Sequence, residues 1–116
     1  MAGLTRESCV PCREGAPMLT ADELATYLPQ VPLWRVAEVD GIARIERTFT
    51  FRDFHSALHF TVRVGELAER EGHHPDIHLA WGRVRVETWT HKIGGLHEND
   101  FILAAKIDEL AAPGRG

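Results

Sequence analysis

The sequence of 116 residues has few cysteines, no long apolar run and no excess of positive charge. The two cysteines, Cys9 and Cys12, are too few to build a disulfide scaffold. A net charge of −4 provides no basic face for nucleic acid. No segment is apolar enough to span a membrane, and the first residues lack the apolar run of a secretory signal. These absences predict a cytoplasmic protein that binds neither nucleic acid nor a membrane.

The remaining composition is typical of a single globular domain. Hydrophobic residues make up 44% of the chain and charged residues 26%, and this length can bury one core but not two. Residues 1–19 contain proline and glycine without periodicity, which predicts an irregular N-terminal arm. We expect one domain over residues 20–112 and a short tail at 113–116.

Local patterns predict alternating helices and strands. Thr20 and Glu23 form a capping box, and Asp40-Gly41 is a two-residue hairpin signal because a type I′ turn needs positive φ at both positions. The predicted elements are helix 20–28, strands 33–39 and 42–51, helix 53–71, strands 77–81 and 83–91, and helix 98–110. This α-ββ-α-ββ-α order predicts an α+β two-layer sandwich, with helices on one face of a four-stranded antiparallel sheet.

A histidine doublet, His73-His74, lies in the stretch EGHHPDIHLAW, where the long helix ends and a strand begins. The strand at 83–91 carries alternating charged residues on one face and ends with His91. Because strand 77–81 pairs with this strand around Gly82, the doublet and His91 should meet at one edge of the sheet.

Three imidazoles without a nearby nucleophilic serine or cysteine indicate proton transfer, since the ordinary pKa of histidine lies near neutral pH. A metal site and a solvated loop remain open alternatives. His55 and His59 have metal-ligand spacing on a helix but no evident third ligand, so a solvated face is favoured. Cys9 and Cys12 lack the second pair of a structural zinc site, which favours an exposed arm.

The stretch from residue 68 to residue 108 resembles the core of the pterin-4a-carbinolamine dehydratases. Their signature of an acidic residue, His-His-Pro, an aromatic residue, a second histidine and an aspartate is matched by Glu69, His73, His74, Pro75, Trp81, His91 and Asp100. Trp34 also matches the family's tryptophan before the first strand, and the similarity covers about residues 18 to 111. The chain departs from the family pattern at Ile77, Gly72 and His97.

The resemblance implies dehydration of 4a-hydroxytetrahydropterins, the carbinolamines released by aromatic amino-acid hydroxylases, to quinonoid dihydropterin. It implies no metal and no cofactor, because the pterin is the substrate. We assign His74 and His91 as the acid/base pair and His73 as an orienting or alternate group, with Glu69 and Asp100 supporting the histidines from behind. The expected pterin-binding residues are Trp34, Gly72, Pro75, Trp89, Thr90 and Lys92.

The apolar stripe on helix 53–71 is broader than one sheet can cover, which predicts a homodimer or homotetramer. The same helix supports an alternative function. Animal members of the resembling family serve as a dimerisation cofactor of a transcription factor, so a non-catalytic oligomerisation role would depend on this helix and not on the histidines.

Overall fold

This computed structural model describes residues 4–7, 9 and 17–111 of the chain. These residues form a four-stranded sheet covered by helices. The helices are α1 (Ala21–Tyr27), α2 (Phe54–Glu71) and α3 (Glu98–Ala111), and the strands are β1 (Arg35–Val39), β2 (Ile42–Thr50), β3 (Asp76–Ala80) and β4 (Arg83–Thr88). Short 3-10 turns occupy Leu4–Arg6, Leu28–Gln30 and His91–Ile93.

The sheet is antiparallel throughout, in the order β1-β2-β4-β3. Asp40 (φ 53°) and Gly41 (φ 78°) connect β1 to β2 with positive φ at both positions, as the hairpin signal predicts. β4 pairs with β2 on one side and with β3 on the other, so Asp76 lies opposite Glu87. The predicted α+β sandwich is confirmed.

The helix ends follow the sequence signals. Thr20 and Glu23 bond reciprocally, with each backbone N–H donating to the other's side chain (2.8 and 3.2 Å). The carboxylate of Asp53 accepts the N–H of Ser56 and begins α2. Gly72 ends α2 in the left-handed conformation at φ 66°, which turns the chain sharply toward β3.

The core lies between the sheet and the helices. α2 and α3 cover the face of the sheet that carries the apolar residues of β2 and β4, so the polar functions are left to the edge and the other face. The core includes Ile45, Phe49, Phe60, Val64, Val84, Val86, Phe101, Leu103 and Ile107. Among the described residues, the helices are too short or too polar to cross a membrane.

The predicted end of β4 was wrong. β4 ends at Thr88 rather than at residue 91, because Thr90 leaves the ladder and pairs with Gly95 (N to O, 2.8 Å). His91 therefore begins a turn. Phe54 and Leu58, in the apolar stripe of α2, are 44% and 41% exposed, so the stripe is broader than the buried face of the helix.

The N-terminal arm also differs from the exposed segment that we expected. Leu4 is only 3% exposed and joins the core, and Cys9 is half-buried. Leu4 and Cys9 thus lie against the domain. Cys12, the other cysteine of the arm, lies outside the described residues.

Candidate active site

The helix-to-strand corner opens into a depression of about 450 Å³. Gly72 redirects the chain after α2, and the His73 N–H then donates to the Ala68 carbonyl (3.2 Å), which fixes the first residue of the doublet against the helix end. The depression is lined by Cys9, Glu69, Arg70, Glu71, Gly72, His73, His74, Trp89, Thr90, His91 and Lys92. The structure thus brings the doublet and His91 to one cavity.

Asp100 is fully buried behind the depression, in the first turn of α3. Its Oδ1 accepts the Thr88 hydroxyl (2.7 Å), and its Oδ2 accepts the Thr90 hydroxyl (3.0 Å) and the His97 N–H (2.9 Å). The Asn99 N–H donates in return to His97 Nδ1 (3.1 Å), so His97 caps the beginning of α3. A buried carboxylate with several donors aimed at it is an acceptor in a fixed position.

His73 is held by this carboxylate. Its Nε2 lies 2.7 Å from Asp100 Oδ1, and its side chain is only 11% exposed. Because Asp100 accepts, Nε2 donates the hydrogen, and Nδ1 is the ring nitrogen left for other contacts. A histidine bound in this way is restricted in both orientation and tautomer.

His74 and His91 are the exposed imidazoles of the cavity. The His74 side chain is 61% exposed, and its Nε2 lies 2.5 Å from the carboxylate of Glu69, which is 76% exposed. The His91 ring lies 4.4 Å from the Trp89 ring, centroid to centroid. Both can therefore reach a molecule in the depression and exchange protons with solvent.

An ion pair beneath Trp89 supports this side of the cavity. The Arg44 guanidinium carbon lies 3.8 Å from the centroid of the Trp89 ring, and Arg44 Nη1 donates to Glu87 Oε1 (3.1 Å). Both residues of the pair are buried although they lie on the sheet's polar face. Sequence alternation placed Glu87 on an open, solvated face and did not identify Arg44, because the pairing crosses from β2 to β4.

Asp76, His78 and Glu87 form the one group that could hold a metal ion in the described part of the chain, with ligand atoms within 4.8 Å of one another. However, Arg44 and Arg85 already donate to the two oxygens of Glu87 (3.1 and 2.9 Å). A metal would have to displace these cations, so the donor set suits a metal poorly.

Glu71 and Cys9 form one wall of the depression, and sequence analysis did not predict either residue there. The Cys9 N–H donates to Glu71 Oε1 (2.9 Å), and Lys106 Nζ donates to Glu71 Oε2 (2.6 Å). Burial raises the pKa of the Cys9 thiol to about 12, aided by the negative charge of Glu71. Burial also acts to raise the pKa of Glu71, but the hydrogen bonds from Lys106 and Cys9 outweigh it and lower that pKa below its usual value.

Most of the predicted site residues line the cavity, and three do not. Asp100 lies behind His73, and Pro75 follows the doublet outside the lining. Trp34 is 4% exposed in the core, where its Nε1 donates to Asp108 Oδ1 (2.8 Å). The roles assigned to all of these residues stay predictions.

Comparison with known proteins identifies a family. The family model described as pterin 4 alpha carbinolamine dehydratase matches residues 17–110. A Gloeobacter violaceus protein named as a pterin-4-alpha-carbinolamine dehydratase is 54% identical over 109 residues, which are 94% of each chain. A Brucella melitensis crystal structure, described as a transcriptional coactivator/pterin dehydratase, is 34% identical with a TM-score of 0.74. It covers 83% of this chain and 100% of its own.

A more distant structure shares the fold alone. It is a pterin dehydratase-like protein described as a RuBisCO assembly factor in the alpha-carboxysome. The identity is 24% and the TM-score 0.59, over 68% of this chain and 89% of that one. The fold therefore occurs in proteins described by different functions, so the function has to be argued from the site.

Proposed function

The chain belongs to the pterin 4 alpha carbinolamine dehydratase family, and we propose that histidine acid/base catalysis carries out its hydro-lyase reaction. The substrate is a 4a-hydroxytetrahydropterin, and the product is quinonoid dihydropterin. In this function the protein recycles the pterin cofactor of aromatic amino-acid hydroxylases. A cytoplasmic location stays a prediction.

The observation that carries this proposal is the convergence of three imidazoles with different environments on one cavity. His73 is fixed on a buried carboxylate, whereas His74 and His91 are exposed. The cavity volume of about 450 Å³ falls within the ~300–1,000 Å³ typical of small-molecule sites. The Trp89 ring offers an aromatic surface beside His91, suited to a flat pterin ring.

The reaction needs one acid and one base. The acid protonates the hydroxyl on carbon 4a, which leaves as water, and the base takes the proton from ring nitrogen 5 as the double bond between these two atoms forms. We assign these roles to His74 and His91, because their rings are exposed at the cavity. We assign His73 to orienting the pterin, since Asp100 already occupies its Nε2. Each proton transfer is worth about 10²- to 10⁴-fold in rate.

Alanine substitution of the exposed histidines tests the proposal. His74→Ala and His91→Ala should each lower dehydration of a synthetic carbinolamine by about 10²-fold or more, while folding changes little. His55→Ala and His59→Ala, on the exposed side of α2, serve as matched controls and should leave turnover unchanged. Wild-type turnover in both single variants would refute the assignment.

The double variant and the pH profile separate concerted catalysis from independent effects. His74→Ala/His91→Ala should lose less than the product of the two single losses, because acid and base act in one event. The wild-type rate should show a bell-shaped pH dependence whose limbs belong to the coupled histidines as a set.

We further propose that no metal takes part. The cavity chemistry requires proton transfer alone, and arginines already bond both oxygens of Glu87 in the Asp76–His78–Glu87 group. Turnover should survive exhaustive chelation. If chelation abolished turnover and one metal restored it, the acid/base mechanism would be wrong.

We also propose that the chain is a homodimer or homotetramer. Phe54, Leu58 and Val62 recur at four-residue spacing on α2 and are 44%, 41% and 48% exposed, an unusual apolar stripe for a monomer. Light scattering should give a multiple of the chain mass, and Leu58→Glu should lower it. A monomeric mass for the wild type would refute this.

The same stripe favours a second candidate function, a non-catalytic or transcriptional cofactor role through α2. The description of the Brucella melitensis structure as a transcriptional coactivator/pterin dehydratase adds to this alternative. The two functions separate cleanly, because Leu58→Glu would impair a partner role and His91→Ala would not.

A further inference from the structure

The N-terminal arm reaches the cavity although it lies outside the segment that the family model matches, which begins at residue 17. Leu4 is 3% exposed in the core, so the arm is attached upstream of Cys9. Cys9 itself lines the depression together with the doublet and His91. Its Sγ also lies 3.5 Å from the Asn99 carbonyl oxygen, next to Asp100 in the sequence.

Glu71, which forms an ion pair with Lys106, also binds the arm through the Cys9 N–H. Glu71 is the last residue of α2, and its side chain is 12% exposed. Its two oxygens are divided between the arm and α3: Oε1 accepts the Cys9 N–H, and Oε2 accepts Lys106 Nζ, whose side chain is 16% exposed. A charged acceptor with little water around it makes strong hydrogen bonds, which suits an anchor.

We propose that Glu71 and Lys106 are a positioning pair that fixes the N-terminal arm as one wall of the pterin pocket. The arm then contributes to pterin binding and not to proton transfer. This inference rests on the proposed function, because it needs the depression to be the pterin site. It gives a role to the cysteine-bearing arm, which the acid/base mechanism leaves unused.

The chemistry of the wall supports binding over catalysis. With its pKa raised to about 12, the Cys9 thiol stays protonated at neutral pH and cannot serve as a base. A neutral thiol is a small apolar surface, suited to contact with a ring. A Cys9 backbone already held by Glu71 before the substrate arrives spares the entropy of ordering it on binding, which strengthens affinity.

Steady-state kinetics test whether the arm contributes to pterin binding as one wall of the pocket. Glu71→Leu/Lys106→Met removes both charges, so that no unpaired ion stays buried. Loss of a hydrogen bond to a charged group should raise KM for the carbinolamine about 10-fold, with kcat within about 2-fold of wild type. The control is Arg35→Met/Glu46→Leu, which removes the remote pair between β1 and β2 (2.6 Å) and should change neither parameter. An unchanged KM, or a fall in kcat alone, would overturn the proposal.

The reactivity of the Cys9 thiol tests whether Glu71 holds the arm, without a measurement of turnover. In a Cys12→Ser background, Cys9 is the remaining thiol, and N-ethylmaleimide should react with it slowly at pH 8. Adding Glu71→Leu/Lys106→Met should release the arm, return the thiol toward its ordinary pKa and speed alkylation by about 100-fold or more. Equal rates in the two proteins would mean that Glu71 does not hold the arm, and would overturn the proposal.

Protection by a bound pterin separates the failure of this inference from the failure of the proposed function. The probe is 7,8-dihydrobiopterin, with binding measured by calorimetry. If the pterin binds and slows Cys9 alkylation in the Cys12→Ser protein, in which Glu71 still holds the arm, the wall is supported. If it binds without protecting Cys9, the arm does not form a wall of the pocket, although the depression is still the pterin site. If it does not bind and the wild type dehydrates no carbinolamine, the proposed function fails, and the wall fails with it.

Discussion

The two residues of the histidine doublet follow one another in the chain, yet the protein surrounds them differently. His73 is 11% exposed at its side chain and bonds to Asp100, which is completely buried and accepts three other donors. His74 is 61% exposed and bonds to a glutamate that is itself 76% exposed. One imidazole belongs to the interior and the other to the rim of the cavity.

This difference shows that one short turn can provide two functions. A ring held by a buried carboxylate keeps one orientation and is suited to placing a substrate. A ring at the rim can rotate, exchange protons with water and change its charge without disturbing buried groups. The comparison predicts that the buried end governs stability as well as turnover, while the exposed end governs turnover alone.

The largest effect should come from Asp100→Asn. The amide keeps the shape but replaces one acceptor oxygen by a donor, so either the Thr88 and His73 donors or the Thr90 and His97 donors meet an N–H group. The free energy of unfolding should fall by about 2–4 kcal/mol. Turnover should fall about 100-fold or more, because His73 loses its fixed position. Urea denaturation and carbinolamine kinetics measure the two losses, and wild-type stability would contradict the comparison.

Asp108→Asn is the matched control at the other end of α3. Asp108 accepts from Trp34 and Arg47 (2.8 and 2.6 Å) but lies away from the cavity, so turnover should not change. Burial raises the pKa of Asp108 above its ordinary 3.8. The folded chain therefore binds this proton more tightly than the unfolded chain does. The stability that Asp108 contributes should fall as pH rises from 3.8 through the raised pKa, so Asp108→Asn should cost least at neutral pH.

A smaller effect should separate the two histidines directly. His73→Ala removes a donor from a buried carboxylate and should lower the free energy of unfolding by about 1.5–3 kcal/mol. His74→Ala removes one partner of an exposed ion pair and should lower it by less than about 0.5 kcal/mol. Thermal or urea unfolding of the two variants gives the comparison, and equal losses would show that the buried and exposed ends do not differ.

The fold was largely predictable because its signals are local. The capping box at Thr20 and the Asp40-Gly41 turn each specify a backbone conformation by themselves, and the structure confirms both. The strand pairing followed from the tight turn at Gly82, which leaves β3 and β4 little choice of register.

The parts of the site that sequence analysis missed depend on long-range contacts. Cys9 and Glu71 are 62 residues apart, and Arg44 and Glu87 are 43 apart, so no spacing rule relates either pair. Burial of Glu87 on a polar face also contradicts simple alternation, and is possible only because Arg44 compensates its charge. Sequence spacing brought the three histidines together and the resemblance added Asp100, but neither placed Cys9 beside them.

The smallest effect should come from Glu69→Gln at the exposed end. Gln keeps an oxygen that can accept from His74 and loses only the charge, and an exposed pair is worth about 0–1 kcal/mol because water and salt screen it. Turnover should therefore fall by no more than about 5-fold, unfolding should not change, and the difference from wild type should shrink in high salt. Steady-state rates at low and high ionic strength measure this. A loss of about 100-fold that persists in salt would mean that Glu69 constrains His74 as firmly as Asp100 constrains His73, and the contrast between the two ends of the cavity would then be wrong.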